Sequence, residues 1–472
     1  MLMEDNLPAS VASPDDGTSS SLRSWLAVVA VAIGAFAFVT TEFLPVGLLP
    51  RIAADLGVLP GTAGLMVTVP GVIAAISAPG LMLVAGRMDR RRVFLLLTAL
   101  LLASNLISAF APNFLIMLVG RALLGAALGG FWTLATAASG RLVQPKDSAK
   151  AMATILTGVT CATVIGVPLG TFIASFASWR ASFMATGVLV AIALVAQFVF
   201  VPSLPSSTAL RLRDLVALLR RPHPRRSMLM VALVFGAHFS SYTYITPFLL
   251  HNASFSMSAI TWLLLGFGII GFFSNFAVSS TVTHNLKVSL GVMVSLLMFA
   301  LLAMPLLEQS PIGVAALVLA WGVSFGALPL CLSIWIQRAT PDSPEAGSAL
   351  FVSIIQVAIA LGSLIGGVVV DHVGISADFL FGSGLALLGL AALASFGRSK
   401  QEVPAKAMAC PACTDWLLVN KTCPDWTSYL YDSKRFVKNT RELASKCIWP
   451  DSSQCCPQIS KSNLARAYRH HR

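Results

Sequence analysis

The chain has 472 residues, of which 56% are hydrophobic and only 11% are charged, and its mean hydropathy is +0.80. A soluble domain carries about 25% charged residues, so this composition excludes a soluble globular protein and indicates a polytopic membrane protein. The formal net charge of +12 does not indicate nucleic-acid binding, because the Lys and Arg residues lie mostly in predicted loops and in the C-terminal region.

The first residues are polar and give way to a long apolar run. Residues 1–24 are rich in Ser, Asp and Pro, which predicts a disordered segment. The apolar run that follows is too long for a signal peptide and lacks a small-residue cleavage site. A membrane-spanning helix needs about 20 apolar residues, and runs of that length recur along the chain. The twelve predicted spans are residues 25–48, 62–85, 93–110, 114–140, 151–176, 183–201, 228–250, 259–280, 286–307, 312–336, 348–370 and 378–396.

The chain divides into two halves. A Pro- and Arg-rich linker, residues 202–227, separates six spans in residues 25–201 from six in residues 228–396. A shift of 196 positions aligns the halves without gaps and places Gly166 on Gly362. Two parallel repeats of six spans are the layout of many transporters. The sequence therefore predicts an all-α membrane protein of twelve transmembrane helices arranged as two six-helix bundles.

The loops differ in charge on the two sides of the predicted bundle. Fifteen Lys and Arg residues lie in loops on one side, against only Arg51 and Arg180 on the other. Basic loops stay on the cytoplasmic side of a membrane. We therefore predict a multi-pass protein of the inner (plasma) membrane with both termini in the cytoplasm.

Two charged residues lie well inside predicted spans. Glu42 in the first span and Arg121 in the fourth each lie about 10 Å below the outer surface at about 1.5 Å per residue, so they can pair. Burial favours the neutral form of a carboxyl group, and a nearby cation favours the ionised form. We expect Glu42 to carry a proton. We expect Arg121 either to adjust the proton affinity of Glu42 or to contact a solute. The alternative is a static ion pair that only fixes helix packing.

Glycines and one proline interrupt the fourth and fifth spans. Gly125 and Gly129 follow Arg121, and the fifth span contains Gly166, Pro168 and Gly170. Small residues allow close packing in any membrane bundle, which is the simpler interpretation of these glycines. Pro168 removes a backbone donor, so it is expected to bend the helix and to shape an outward gate.

These motifs together resemble those of a known family. Arg121 with its spaced glycines resembles the fourth-helix motif of the major facilitator superfamily, and residues 158–170 resemble the fifth-helix motif of its drug:proton antiporters. The loop containing Arg87, Asp89, Arg90 and Arg91 resembles the family's basic cytoplasmic loop. It departs from that loop because Gly86 replaces the usual aspartate and Asp89 stands where the family usually has glycine.

Three short segments narrow the resemblance. Residues 41–46, residues 128–132 and the Asp89-Arg-Arg pattern are most similar to the purine ribonucleoside efflux pumps. Sugar and drug exporters share parts of these motifs. The resemblance implies export of a small organic solute by proton antiport with alternating access.

Polar and aromatic residues at mid-depth in the spans are candidates for substrate binding. Aromatic faces stack on nucleobases and amide side chains match their hydrogen-bonding edges. The alternatives are aromatic anchors at the membrane interface and ordinary packing. The candidates are Thr41, Trp132, His238, Tyr242, Tyr244, Asn275 and Gln356. Asp371, at the outer end of the eleventh span, is expected to be solvated.

The C-terminal region differs from the rest of the chain. Residues 397–472 contain six of the eight cysteines and do not resemble the transporter family. Cys410 and Cys413 have the spacing of a zinc pair or redox motif, but a convincing second pair is absent, so no metal site is predicted. The region is expected to be cytoplasmic, as an unusual extension or as a fused or out-of-frame segment.

Other function classes fit the sequence less well. No phosphate-binding loop with its Lys and no His-Glu-x-x-His motif occurs, which disfavours ATP-driven transport and hydrolysis, so neither an enzyme nor a cofactor is predicted. The expected partners are a small-molecule substrate, protons and the lipid bilayer, with no nucleic acid, and the protein is expected to be a monomer. A multidrug or sugar antiporter and a passive facilitator remain alternatives, and a facilitator would not need Glu42.

Overall fold

The structure is a computed structural model that describes residues 21–84, 88–144, 147–204 and 217–396. Several predictions made from the sequence lie outside these ranges. They concern the disordered segment up to residue 20, Arg87 of the basic loop, residues 205–216 of the linker and the Cys-rich region from residue 397.

The described residues form helices and no strand. Eleven of the helices are long and apolar enough to span a membrane, and a bent helix pair gives the twelfth span. The spans are α1 (Leu22–Leu56), α2 (Leu65–Val84, preceded by the short helix Pro60–Ala63), α3 (Arg90–Ala109), α4 (Phe114–Leu142), α5 (Ser148–Phe176), α6 (Trp179–Phe200), α7 (Pro222–Thr243), α8 (Met257–Val282), α9 (Asn285–Ala303), α10 (Pro311–Ala339), α11 (Pro344–His372) and α12 (Ile375–Ser395). The predicted fold of two six-helix bundles is confirmed.

Short polar side chains start several of these helices. Asn113, Ser178, Ser256 and Ser310 each accept a hydrogen bond from a backbone N–H in the first turn of the helix that follows. Gly57 ends α1 with a φ of 65°, a left-handed conformation that favours glycine. These caps satisfy backbone groups that the helix itself leaves unpaired.

Two helical segments of the second bundle are each interrupted at a single residue. The α7 segment bends by 44° between Thr243 and Ile245, and a short helical continuation then runs to Asn252. The helical segment Met257–Ala303 is interrupted at Asn285, whose φ of −138° and ψ of 62° are not helical. This interruption divides the segment into α8 and α9.

The first helix is longer than the sequence predicts. It begins at Leu22, inside the segment predicted to be disordered, and continues through Pro45 and Pro50 to Leu56. A proline removes one backbone donor but leaves the helix intact where neighbouring helices support it. Glu42 consequently lies near the middle of α1 rather than about two turns from its outer end.

The helix ends define two sides of the bundle. The basic side contains the α2–α3, α4–α5, α6–α7 and α10–α11 connections, and the opposite side contains the α1–α2 and α11–α12 connections. Among the described residues, α2 packs against α11 and α5 packs against α8 where the two bundles meet. The positions of these contacts along the helices decide which side of the protein is closed.

Candidate functional site

Arg121 is fully buried in the first bundle and binds backbone oxygens. Its Nε donates to the Met66 oxygen at 2.7 Å. Its two terminal nitrogens donate to the backbone oxygens of Thr41, at 2.7 Å, and of Glu42, at 2.8 Å. These bonds tie α4 to α1 and α2. A buried guanidinium is tolerated because carbonyl oxygens replace its lost hydration.

The predicted pairing of Arg121 with the Glu42 carboxyl group does not occur. Among the described residues the ion pairs are Asp55 with Arg180 and Arg221 with Asp342. Arg121 instead reaches the Glu42 backbone, since the carbonyl groups of α1 face it. A sequence gives the depth of two side chains but not the backbone acceptors beside them.

The Glu42 carboxyl group makes its hydrogen bond across the two bundles. Its Oε1 accepts from Nε2 of Gln356 on α11 at 3.3 Å. Both side chains are buried, with exposed fractions of 6% and 5%. A further contact, the stacking of Phe43 on Phe239 with ring centroids 5.4 Å apart, lies beside it. Two of the sequence candidates therefore meet where the bundles join.

Thr41 faces the interior of the first bundle. Its hydroxyl donates to the Ala37 oxygen at 2.8 Å and accepts from Nδ2 of Asn105 at 3.1 Å. Its side-chain hydrogen bonds therefore stay within α1 and α3. This hydroxyl links helices and is not directed at the contact between the bundles.

His238 and Tyr242 lie inside an aromatic cluster of the second bundle. Nδ1 of His238 accepts from Nε1 of Trp321 at 3.0 Å. The neutral ring then carries its proton on Nε2, which has no hydrogen-bond partner among the described residues. Tyr242 stacks on His238 and on Phe267, with centroids 4.8 and 5.4 Å away. His238 is fully buried, which fits a packing role.

Trp132 and Asn275 are both half-buried. Trp132 packs edge-to-face on Phe131, with ring centroids 6.1 Å apart. Asn275 lies on α8. Of the seven substrate candidates, His238 and Tyr242 stack on each other, and Gln356 hydrogen-bonds to the Glu42 carboxyl group.

Tyr244 takes part in a polar network that joins the bundles on the opposite side. Its hydroxyl donates to the Ser363 oxygen at 2.8 Å and is also 3.2 Å from the Gly61 oxygen. The Ser363 hydroxyl in turn donates to the Gly64 oxygen at 3.1 Å. We call this set of contacts, together with those of Asp371, the outer latch. It connects the start of α2 to α11.

Asp371 contributes the charged group of the outer latch. Its Oδ1 accepts from the Gly61 N–H at 2.7 Å, and its Oδ2 accepts from the Thr62 N–H at 2.9 Å and the Thr62 hydroxyl at 3.1 Å. A carboxylate in this position satisfies the free N–H groups at a helix start. The expectation that Asp371 is solvated is therefore wrong.

The glycines of α4 and α5 allow close helix packing within the first bundle. A Cβ at Gly125 would lie 2.5 Å from the Pro70 oxygen, and one at Gly129 would lie 2.4 Å from the Ala74 oxygen. A Cβ at Gly166 would lie 3.0 Å from Oγ1 of Thr40, and one at Gly170 would lie 2.1 Å from a methyl group of Leu44. Gly125 and Gly129 therefore face α2, and the other two glycines face α1.

Pro168 lies inside α5 without ending it. The helix continues from Ser148 to Phe176, and the Thr171 hydroxyl donates to the Pro168 oxygen at 2.9 Å. On the same outer stretch the Thr261 hydroxyl of α8 donates to the Thr171 hydroxyl at 2.9 Å. The segment after Pro168 thus contributes to the contact between the bundles.

The basic loop is bonded within the first bundle. Asp89 caps α3, accepting from the N–H of Arg91 at 2.9 Å, and it also accepts from the Leu204 N–H at 3.0 Å and the Ser203 hydroxyl. The Ser203 bond is the main reason that the pKa of Asp89 lies below its ordinary value. Arg91 donates to the Phe198 oxygen at 2.6 Å, and the Arg90 N–H donates to Leu204. The described part of the loop therefore joins α3 to the end of α6.

The basic-side parts of α5 and α8 are more open than their outer parts. Before Gly166, α5 buries few positions, and Cys161 is exposed. Phe273 and Phe276 on α8 are 65% and 64% exposed. An apolar pocket of about 280 Å³ opens between these helices. It is lined by Thr160, Cys161, Val164, Ile165, Ile269, Phe272 and Phe273.

The chain is similar in sequence to proteins with two different names. The purine ribonucleoside efflux pump NepI of Salmonella paratyphi C is 34% identical over 365 residues, which cover 77% of this chain and 92% of the pump. A protein of Pseudomonas aeruginosa named transcription regulatory protein OpdE is also 34% identical, over 81% of this chain and 96% of its own length. Because the two names describe different activities at equal identity, identity alone does not fix the substrate.

The structural comparison and the family profile identify the same class of protein. The crystal structure of the human organic anion transporter MFSD10 (TETRAN) matches with a TM-score of 0.60 at 21% identity, covering 78% of this chain and 99% of that one. The profile of the Major Facilitator Superfamily matches residues 31–353. The chain is therefore a multi-pass membrane transporter of the Major Facilitator Superfamily.

Proposed function

We propose that this protein exports purine ribonucleosides by proton antiport with alternating access. Its family supports transport of a small molecule, and its similarity to a purine ribonucleoside efflux pump supports the substrate and the direction. The distribution of basic loops supports a cytoplasmic basic side, cytoplasmic termini and location in the inner membrane.

The hydrogen bond between Glu42 and Gln356 is the observation that carries the proposal. The carboxyl group of Glu42 on α1 is buried, and its hydrogen-bond partner, Gln356, belongs to the other bundle. A buried carboxyl group is stable when protonated or when hydrogen-bond donors compensate its charge. Rearrangement of the two bundles changes both its partner and its hydration, so Glu42 is suited to bind and release a proton during transport.

A purine nucleoside can compete for the same two groups. A purine edge carries both donors and acceptors, which match the amide of Gln356 and the carboxyl group of Glu42. We infer that a bound nucleoside donates hydrogen bonds to the ionised carboxylate of Glu42, and that the proton leaves to the cytoplasmic solution. Proton and substrate then exclude each other, which is the requirement for antiport.

Arg121 has a positioning role in this mechanism. Each of three guanidinium nitrogens is bonded to a backbone oxygen, including that of Glu42. We infer that Arg121 fixes the segment of α1 that carries Glu42 and adds positive charge near its ionised form. Gly125, Gly129, Gly166 and Gly170 support the same geometry by allowing α4 and α5 to pack closely on α2 and α1.

The apolar pocket between α5 and α8 favours a second candidate function. Its lining of aliphatic and aromatic side chains fits the apolar part of a drug-like compound. An exporter of such compounds would use the same bundles and the same Glu42. The two candidates differ in whether polar groups at the Glu42–Gln356 contact or the apolar surface selects the substrate.

Substrate-induced proton release by the purified protein tests the proposal. Inosine, guanosine, a sugar and a cationic dye are added separately in weak buffer. We expect proton release with the two nucleosides only. In Gln356→Ala the nucleoside concentration needed for half-maximal release should rise about 2–10-fold, because one hydrogen bond is worth about 0.5–1.5 kcal/mol.

Gln337→Ala is the matched control for this variant. Gln337 is exposed near the basic-side end of α10, where it is 3.5 Å from the Ser333 hydroxyl. Its substitution should leave proton release unchanged. Release with the dye alone would support the second candidate, and nucleoside transport in liposomes without any proton movement would indicate a passive facilitator.

A further inference from the structure

A second buried carboxyl group lies behind the outer latch. Asp378 is one turn into α12, and its side chain is fully buried. Neither carboxyl oxygen has a hydrogen-bond partner among the described residues, and the ion pairs found there involve other groups. The twelfth span predicted from the sequence begins at Asp378, so the sequence alone does not indicate an acid inside the membrane there.

Among the described residues, no cation forms an ion pair with Asp378. The Ser241 hydroxyl lies 3.4 Å from its backbone oxygen and not at its carboxyl group. The titratable groups at this end of the packed elements are Tyr244, His251, Glu308, Asp371 and His372. The Tyr244 hydroxyl is directed at the Ser363 and Gly61 oxygens. Glu308 accepts from Asn252 and Ser376. His251 and His372 are exposed.

The internal repeat gives an independent indication of whether the Asp378 carboxyl group is protonated or ionised. The shift of 196 positions that aligns the halves places Ser182 on Asp378 and Gly170 on Gly366. In the first bundle the Ser182 hydroxyl donates to the Gly170 oxygen at 2.8 Å. In the second bundle Oδ1 of Asp378 lies 2.7 Å from the position that a Cβ on Gly366 would take. The first bundle thus holds an uncharged side chain at the position that corresponds to Asp378, which agrees with an uncharged, protonated carboxyl group there.

We propose that Asp378 is a proton-binding site that must be occupied for the transporter to close on the opposite side. An ionised carboxylate without partners is strongly disfavoured in a dry interior, so the buried geometry requires the neutral form. The helix start adjacent to Asp378 favours negative charge only weakly, and no backbone N–H bonds its oxygens.

Packing connects this site to the latch. Asp378 contacts α11 at Gly366, within one turn of Ser363 and Gly367. Ser363 accepts from Tyr244, and the Gly367 oxygen would lie 2.1 Å from a Cβ on Gly61. Water that enters to hydrate an ionised Asp378 must separate α11 from α12 at this turn. Ionisation therefore opposes the contact of α11 with α2.

The proton balance of this step is simple. In the state open to the opposite side, one proton from that solution binds a carboxyl oxygen of Asp378, and the bundles then close. When the latch opens again, the proton returns to water. The site thus makes closure depend on the acidity outside, and it rests on the alternating access proposed above.

The distance between the bundles on the opposite side, measured against pH, tests this proposal. Spin labels are attached to Leu59→Cys and Val373→Cys in full-length protein in nanodiscs, with the native cysteines replaced. Leu59 and Val373 are 60% and 73% exposed. We expect short distances at low pH. In the pH range where the closed form binds one proton and the open form binds none, the closed-to-open ratio should fall about tenfold for each unit by which the pH rises.

Two variants assign this dependence to one carboxyl group. Asp378→Asn should stay closed at every pH, because the amide cannot ionise. Asp371→Asn should keep the pH dependence, although its latch is weaker. An unchanged pH dependence in Asp378→Asn, or its loss in Asp371→Asn alone, would overturn the proposal.

An infrared measurement on the wild type does not depend on the folding of a variant. Isotope-labelled aspartate identifies protonated Asp carboxyl groups by their C=O band in pH difference spectra. We expect such a band to persist at neutral pH under conditions where the label distances show the closed form. Its absence in closed protein would contradict the proposal. A band and a pH-dependent distance in a protein that moves no nucleoside would refute the proposed function alone.

Discussion

The opposite side and the basic side of this transporter are held together in different ways. On the opposite side, Asp371 and Tyr244 make hydrogen bonds from the second bundle to the start of α2 in the first. On the basic side, the hydrogen bonds of Asp89 stay within the first bundle, and the ion pair of Arg221 with Asp342 stays within the second. The described geometry therefore corresponds to a transporter closed on the opposite side.

This difference indicates which contacts change during transport. Contacts within a bundle can persist through a rigid-body movement, whereas contacts between bundles must break and re-form. The outer latch and the Glu42–Gln356 bond belong to the second group, and the caps and the Arg121 bonds belong to the first. Substitutions in the two groups should affect different measurements.

The largest effect on closure is expected for Gly61→Ala. A Cβ at Gly61 would lie 2.1 Å from the Gly367 oxygen and 2.5 Å from Asp371, so the bundles must move apart. Overpacking costs about 1–3 kcal/mol, which lowers the closed-to-open ratio about 5–150-fold. Spin-label distances across the opposite side measure this ratio. A Cβ at Gly80, on the following helix α2, would meet open space, so Gly80→Ala should leave the spin-label distances unchanged.

A smaller effect on the closure of the opposite side is expected for Asp371→Ala. The variant leaves the N–H groups of Gly61 and Thr62 without their carboxylate acceptor. Loss of a cap costs about 0.5–2 kcal/mol, so closure should weaken about 2–30-fold in the same distance measurement. Asp342→Ala removes an exposed ion pair within one bundle and serves as the control. Equal effects of the two variants would contradict the latch.

Tyr244→Phe should weaken closure about 2–10-fold. It removes the hydroxyl that bonds the Ser363 and Gly61 oxygens, and one such bond is worth about 0.5–1.5 kcal/mol. Tyr242→Phe is a matched control on the same segment, because Tyr242 stacks within its own bundle. If both variants shift the spin-label distances equally, the Tyr244 hydroxyl does not join the bundles.

The smallest effect on closure is expected on the basic side, at Asp89. Its folded-state pKa is lowered, chiefly by the Ser203 hydroxyl, so its contribution to stability is present above the unfolded value of about 4 and is lost as the pH falls through the folded value. Asp89→Ala should remove this acid-dependent part of the thermal stability and leave the spin-label distances unchanged. A change in opposite-side distances would show that the basic loop acts beyond its own bundle.

The fold was predictable because length and composition determine it in a membrane. A run of apolar residues long enough to cross the bilayer has to form a helix, since no water is present to bond the backbone. The ends of helices were less predictable. The first helix extends to Leu56 because neighbouring helices support Pro45 and Pro50, and the twelfth begins at Ile375, which puts Asp378 inside the bundle.

The sequence predicted which residues belong to the candidate site but not which hydrogen bonds they make. Glu42, Arg121 and Gln356 stand out as polar groups in apolar runs. The partner of Arg121 proved to be a set of backbone oxygens, and the partner of Glu42 proved to be Gln356. Side-chain depth follows from the sequence, whereas partners depend on which helices become neighbours and how they are rotated.

Accumulation of inosine against its gradient in proteoliposomes tests the central claim most directly. Acid-inside vesicles containing wild-type protein should accumulate labelled inosine. Vesicles containing Glu42→Gln should exchange labelled for unlabelled inosine but lose accumulation about 100-fold, near the upper range of a coupling between two ligands. Accumulation at the wild-type level in Glu42→Gln would contradict the assignment of Glu42 as the proton carrier.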